Sequence, residues 1–227
     1  MVRQTFDQEL QRLEDELLVL GSMVEDALVL SVDTLKRKDF EGSRQLIAAD
    51  RDINRRRYAI EADVLALIAM QQPMARDVRL LAAILEIAGE LERMGDYAKG
   101  IARINLMIGE EPFIKPLIDL PAMAAKARDM LHQALRAFVE RDVELARAIP
   151  RDDDEIDARY NQVYRELITY ILQAPQVSEQ ANRLMWAAHN LERAADRVTN
   201  LCERVVYAVT GEFVELNADD SEIESFS

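Results

Sequence analysis

The chain has 227 residues, 49% of them hydrophobic and 31% charged, proportions that suit a globular protein with a substantial core. A formal net charge of −14 sets it against phosphate backbones and anionic lipid headgroups. No nucleic-acid partner is therefore expected, whereas metal cations or a basic protein surface are. The single cysteine, Cys202, excludes an intrachain disulfide, and its core-like spacing on a helix predicts a buried small hydrophobe.

Only 7 Gly and 6 Pro punctuate the chain, and Ala, Leu, Arg and Glu dominate it, so long uninterrupted helices are expected. The first runs over about 4–38, where Leu10, Leu13, Leu17, Leu20, Val24, Leu28 and Leu35 step by three, four or seven. Asp39 and Gly42 mark a turn into a second helix over about 41–71, carrying Leu46, Ile53, Ile60, Val64 and Leu67. Pro73 stands where a third helix begins, a place proline favours, and that helix runs to about 108. Three prolines and a glycine between Gly109 and Pro121 form the one clear break.

The pattern then restarts. Helices are expected over about 121–141, 142–173 and 177–210, the last stopped by Gly211. Lys38-Asp39 returns as Arg141-Asp142 and Pro73 as Pro175. The reading is all-α: two tandem repeated three-helix bundles of long up-down helices. The first repeat covers 1–110, a linker 111–120, the second repeat 121–210, and an acidic tail 211–227 with six acids and no base is read as frayed at its end. No apolar stretch resembles a secretory signal or a spanning helix, so a cytoplasmic location is expected.

One stretch recurs letter for letter in its key positions. Leu91-Glu92-Arg93-Met94-Gly95-Asp96 returns one hundred residues later as Leu191-Glu192-Arg193-Ala194-Ala195-Asp196. Glu and Asp four apart share a helix face, so each copy aims two carboxylates the same way. The preceding helix offers Asp153 and Asp157 in the second half, and the matching positions in the first are Asp50 and Asn54. Asn54 and Glu92 lie equally far from Pro73 along the chain, so in antiparallel helices the pairs meet at one height. Four such groups packed together repel unless one protonates or a cation intervenes. Two readings follow from spacing alone. One is a metal site in each half, with hard oxygen ligands for Mg²⁺, Ca²⁺, Mn²⁺ or iron. The other is an acidic patch neutralised by Arg55, Arg93, Arg159 and Arg193.

Histidines add little. His189 precedes Glu192 by three residues and reads as polar decoration, with a ligand role as the alternative; His132 has no evident carboxylate partner. Met23, Met70, Met74, Met94 and Met107 read mostly as core filler. No phosphate-binding Gly-rich loop, Ser/His/Asp arrangement or zinc-type Cys/His spacing is present, and nothing reads as a nucleophile.

The stretches 91–101 and 191–201, the duplicated three-helix plan and the length resemble the PhoU family of phosphate-uptake regulators, over about residues 4–210. The motif Leu-Glu-Arg-x-Gly-Asp is matched fully in the first half, and Ala195 replaces its glycine in the second. The resemblance implies multinuclear metal clusters, iron or zinc above all, held by Asp50, Glu92 and Asp96 in one half and by Asp153, Asp157, Glu192 and Asp196 in the other. Asn54 departs from the acid expected there, which implies a weaker first site. The resemblance also implies a non-enzymatic negative regulator of phosphate uptake, an adaptor between the phosphate importer's ATPase subunit and a phosphate-sensing histidine kinase. A homodimer, reaching the membrane only through its partners, is implied as well. The alternatives are a carboxylate-bridged di-metal oxidase of ferritin-like type, which needs Glu-x-x-His motifs this chain lacks, and a metal-free acidic adaptor.

Overall fold

The computed structural model describes residues 2–216, with side chains from Phe6 onward. Among these residues all regular structure is helical: α1 (Val2–Arg37), α2 (Phe40–Gln71), α3 (Ala75–Ile108), α4 (Asp119–Glu140), α5 (Val143–Ala148), α6 (Asp153–Gln173) and α7 (Ser178–Thr210), with 3-10 turns at Ile149–Asp152 and Pro175–Val177. The expectation for the tail's end falls outside the described residues. Its beginning is ordered against the bundle: Phe213 stacks on Tyr207 with ring centroids 4.3 Å apart, and Val214 and Leu216 pack on the core.

Amphipathic spacing builds each helix. On α1, Phe6, Leu13, Leu17, Leu20, Val24, Leu28, Val32 and Leu35 form one stripe, and all are buried. The α1–α2 turn uses Lys38 at φ +56° followed by Asp39, whose carboxylate accepts the Gly42 N–H at 2.8 Å. The same device recurs at Arg141, φ +58°, and Asp142, which accepts the Leu145 N–H at 2.9 Å. An Asp cap satisfies an otherwise orphaned amide, so the sequence match between the two turns is a match of capping chemistry. The buried Asn105 of α3 holds the first turn in place. Its Nδ2 donates toward Thr34 O (3.1 Å), Asp39 O (3.2 Å) and Ser43 Oγ (2.8 Å).

Two boundaries differ from the sequence reading. Pro73 does not start a helix: Gln72 ends α2 in the left-handed region and α3 begins at Ala75. The expected helix over 142–173 is divided, because Pro150 has no N–H to continue it and its ring clashes with the preceding turn. Asp153 therefore opens α6 instead of lying inside a helix, and sits in its first turn beside Asp154 and Glu155, where free N–H groups favour negative charge.

Helices α1, α2 and α3 pack as one bundle, and α4, α5–α6 and α7 as the second. The bundles share a core. Helix α3 lies along α7 and α1 along α4, so buried residues of both repeats form one continuous cluster. Gly100 on α3 lies so close to α7 that an added Cβ would stand 2.7 Å from Asn190 Nδ2, and the missing side chain lets the helix axes approach. Arg204 to Glu86 (2.9 Å) and Arg197 to Glu90 (3.5 Å) tie α7 to α3 at the rim. Helices α2 and α6 are left on the outside, α2 resting on α3 and α1 and α6 on α7 and α4. This is what exposes the acid-bearing grooves between α2 and α3 and between α6 and α7.

Other sequence readings resolve simply. Cys202 is fully buried, and burial pushes its thiol up to about 12. Met94 is core, and Met23 packs on the core's edge. Met70, Met74 and Met107 are exposed, contrary to their reading as core filler, because each lies in the last turn of a helix or between helices, beyond the reach of a neighbour. His132 does have a carboxylate partner: its Nδ1 lies 3.3 Å from Glu25 of α1, in the other repeat.

Candidate functional site

In the first repeat the groove between α2 and α3 brings Asp50, Asn54, Glu92 and Asp96 together, as their spacing required. Asp50 is only 5% exposed. A residue absent from the sequence reading joins them. The ammonium of Lys99, one turn beyond Asp96, lies 2.7 Å from Asp50 Oδ2 and 3.0 Å from Asp96 Oδ1, bridging the two helices. Hydrogen bonds to Asp50 and Asp96 outweigh partial burial and raise the affinity of Lys99 for its proton. Asn54 turns its amide nitrogen, not its oxygen, toward Asp50, donating to the main-chain O at 3.0 Å and to Oδ2 at 3.2 Å. Asp50 Oδ1 alone stays buried without a hydrogen bond. Burial and the charges of Asp96 and Asp50 raise the Glu92 carboxyl above its ordinary value.

The second repeat places Asp153, Asp157, Glu192 and Asp196 in the equivalent groove with no lysine among them. Position 199, the counterpart of Lys99, is a buried threonine whose Oγ1 has no hydrogen-bond partner. The acids act on one another. Burial, then Asp157, Asp196 and Glu192, push Asp153 up to about 7. Burial and Asp196 push Glu192 up to about 7 as well. Burial also raises Asp196, against the pull of Arg193, Arg197 and His189. Asp153 Oδ1 is buried with no hydrogen bond, and Glu192 Oε2 accepts none of good alignment, although His189 Nδ1 stands 3.3 Å away. The ring of Tyr160 lies 6.1 Å from that of His189 and is a further residue the sequence did not single out.

The arginines expected to neutralise the acids mostly do something else. Arg55 pairs with Asp52 (3.2 Å), Arg93 with Glu90 (2.6 Å) and Arg159 with Glu155 (2.9 Å). Each finds an acid within one turn of its own helix, a lower-entropy choice than reaching across a groove. Only Arg193 touches a candidate residue, Asp196, at 2.7 Å. Burial opposes the charge of Arg193, and Tyr97 of α3 together with Asp196 outweighs it and raises the affinity of Arg193 for its proton.

The two donor sets differ in what they fit. In the second repeat Asp153 Oδ1 and Glu192 Oε2 are buried without a hydrogen bond and the acids repel one another, a repulsion that a hard cation would relieve. In the first repeat an ammonium already stands between the acids, so its residues do not fit a metal ion in this arrangement. Among the described residues, no three His, Cys, Asp or Glu side chains converge tightly enough to hold an ion as they stand. The acids of the second repeat are apart, and a cation would have to draw them in.

Comparison with known proteins completes the description. The PhoU domain family matches the chain twice, over residues 17–104 and 120–205. The chain belongs to the PhoU family. The two matches coincide with the two bundles, so the internal repeat is a duplicated PhoU domain. The phosphate-specific transport system accessory protein PhoU homolog of Clostridium acetobutylicum is 33% identical over 96% of this chain and 100% of its own length. The crystal structure of the phosphate transport system regulatory protein PhoU from Streptococcus pneumoniae superposes with a TM-score of 0.85 at 32% identity, over 92% of this chain and 99% of that one. PhoU from Pseudomonas aeruginosa gives 0.86 at 30% identity, over 91% and 100%. The Clostridium and Streptococcus relatives are named accessory and regulatory proteins, not enzymes. Among the described residues no helix is long and apolar enough to cross a membrane.

Proposed function

We propose that this chain is a negative regulator of a phosphate-specific transport system, acting in the cytoplasm as a metal-responsive adaptor between the importer's ATPase subunit and a phosphate-sensing histidine kinase. The observation that carries the regulatory reading is the duplicated PhoU domain, shared over nearly the whole length with proteins named for phosphate-transport regulation. The long outer helices α2 and α6, each packed on one side only, offer the extended faces an adaptor needs.

The metal reading rests on the second repeat. Asp153 and Asp157 on α6, with Glu192 and Asp196 on α7, would hold the ion. Bound there, it would supply positive charge that lets four carboxylates close together across two helices. The chain's own residues set the response: the distance between α6 and α7 at this height depends on whether the acids repel or share a cation. His189 Nδ1 stands 3.3 Å from Glu192 Oε2, at the edge of the site. Iron or zinc is the expectation from the family, while an all-oxygen donor set equally suits Mn²⁺ or Mg²⁺.

The test uses the full-length chain immobilised and offered the ATPase subunit and the sensor kinase from its own organism. Retention of both is expected, weakened by chelator and by Asp153→Asn with Asp196→Asn. In cells, loss of the chain is expected to switch on phosphate-starvation genes in phosphate-rich medium. Unchanged expression there would sink the regulatory reading.

A further inference from the structure

We propose that Lys99 serves as a built-in cation of the first repeat, so that this half binds no metal ion and metal control is confined to the second. The inference rests on the metal reading given above, and it makes the duplicated protein functionally asymmetric. Four structural observations converge on it.

The Lys99 ammonium contacts one acid from each helix, Asp50 on α2 and Asp96 on α3, which is the bridging role a metal ion would play. Asn54 replaces the acid found at Asp157 and points its NH₂ group at Asp50, so it presents a donor where a ligand would need a lone pair. The equivalent of Lys99 in the second repeat, Thr199, is buried and too short to reach across to α6. Finally, where Lys99 reaches across to Asp50 on α2, Arg193 on α7 pairs at 2.7 Å with Asp196 of its own helix. Two substitutions, Asn for Asp and Lys for Thr, thus act in the same direction: one removes a negative ligand and the other adds a positive charge.

Such a lysine differs from a metal ion in what it can report. An ammonium tethered to its own helix by four methylenes cannot leave, whatever the metal supply. The α2–α3 groove is then a fixed strut. The α6–α7 groove, whose charge is balanced from solution, is the half that changes. A partner reading the metal state of this protein should contact the α6–α7 side.

The experiment measures Mn²⁺, chosen because the donors are oxygens. The full-length protein and its variants are purified with Mn²⁺ present, dialysed, and their metal counted by mass spectrometry. Position is read from Trp186, the chain's single tryptophan, which lies six residues before Glu192 on α7, roughly 9 Å along the helix. Mn²⁺ held in the second repeat should quench its fluorescence. We expect Asp96→Ala to leave the metal content unchanged and Asp196→Ala to reduce it to background. Asn54→Asp with Lys99→Thr, which installs the second repeat's own residues in the first, should roughly double the content. On the Asp196→Ala background the same pair should restore binding without quenching Trp186. Should the threonine variant not fold, Asn54→Asp with Lys99→Met keeps the lysine's unbranched stem and is read the same way.

The inference is overturned if Asp96→Ala lowers the content of the otherwise native protein, or if the paired substitution adds no metal; in either case binding at the second repeat leaves the proposed function standing. If the native protein binds no Mn²⁺, the metal part of the proposed function fails, and the paired variant still decides the role of Lys99. Binding there that Asp96→Ala abolishes upholds it, and no binding overturns it.

Discussion

Lys99 Nζ lies 2.7 Å from Asp50 Oδ2, across the groove between α3 and α2, whereas the same position in the second repeat is Thr199, whose hydroxyl has no partner. One duplicated helix therefore carries two different electrostatic solutions. In the first repeat the buried acid is neutralised from within the chain. In the second, burial and mutual repulsion raise the affinity of Asp153 and Glu192 for protons. Lys99→Met leaves Asp50, nearly inaccessible to water, with only the Asn54 amide as a donor. Removing one member of a largely buried pair costs about 2–4 kcal/mol, discounted here from the upper values because Lys99 is 20% exposed. Thermal unfolding of the chelator-treated protein should show the loss, and Thr199→Ala should show none of comparable size.

The second repeat makes stability depend on pH in the opposite sense to an ordinary salt bridge. Asp153 and Glu192 titrate at about 7 in the folded chain, well above their ordinary carboxylate values. The folded state therefore holds protons that the unfolded state releases, and stability falls as pH rises through 7. Between about pH 8 and pH 6 the metal-free protein should gain on the order of 1–2 kcal/mol, after allowance for the solvent that reaches both groups. The gain should level off near the unfolded carboxylates' own range, about pH 4. Glu166, held below its ordinary value by Lys115, then works the other way and loses its contribution as acid protonates it. Melting curves across this range should show the rise, and Asp153→Asn should flatten it. Saturating Mn²⁺ at the upper pH should also flatten it, because a bound ion takes the place of the protons.

Asn105 should be among the costliest polar residues to change. Its side chain is fully buried and donates to three acceptors at the α1–α2 turn. Asn105→Leu removes this donor, leaving Thr34 O with the Asp39 N–H, Asp39 O with the Ser43 N–H and the buried Ser43 hydroxyl without its Asn105 partner, at a cost of about 1–3 kcal/mol. Hydrogen exchange should show the 38–43 turn opening faster, with the 141–146 turn of the second repeat unaffected.

Gly21 tests how closely the repeats are packed. A Cβ there would lie 2.2 Å from Leu135 Cδ1 on α4. Alanine improves helix propensity by up to about 1 kcal/mol. The end of the Leu135 side chain, which also lines a groove of about 380 Å³ beside Leu18 and Val139, must turn away from its packed position, and overpacking costs about 1–3 kcal/mol. The clash should win, so that Gly21→Ala lowers the melting temperature. A raised melting temperature would mean that the α1–α4 contact is loose.

Much of this was legible in residues one at a time. The apolar stripe from Phe6 to Leu35, the Asp39 and Asp142 caps and the Glu-x-x-x-Asp pairs are local patterns, and local sterics and hydrogen bonding decide them. The division of the fifth segment was legible too, in Pro150, whose missing N–H breaks any helix that tries to pass through it. The equal spacing of Asn54 and Glu92 about Pro73 was enough to place the acids of α2 and α3 at one height, although Pro73 itself lies outside the helix it was expected to begin.

The tertiary structure decided everything that depends on a flexible side chain choosing among neighbours. Arg55, Arg93 and Arg159 each had several acids in reach, and the nearest turn of the same helix won. Lys99 could have paired with Asp96 alone, and only the packing of α2 against α3 brought Asp50 within 2.7 Å of it. The joining of the repeats along α3 and α7 was likewise beyond sequence periodicity, since an apolar stripe says that something packs on it without naming what. Backbone pattern is set within a few residues, where sterics rule. The pairing of charges and the choice of packing partner are set across tens of residues, where small differences in distance and burial select among many near-equal options.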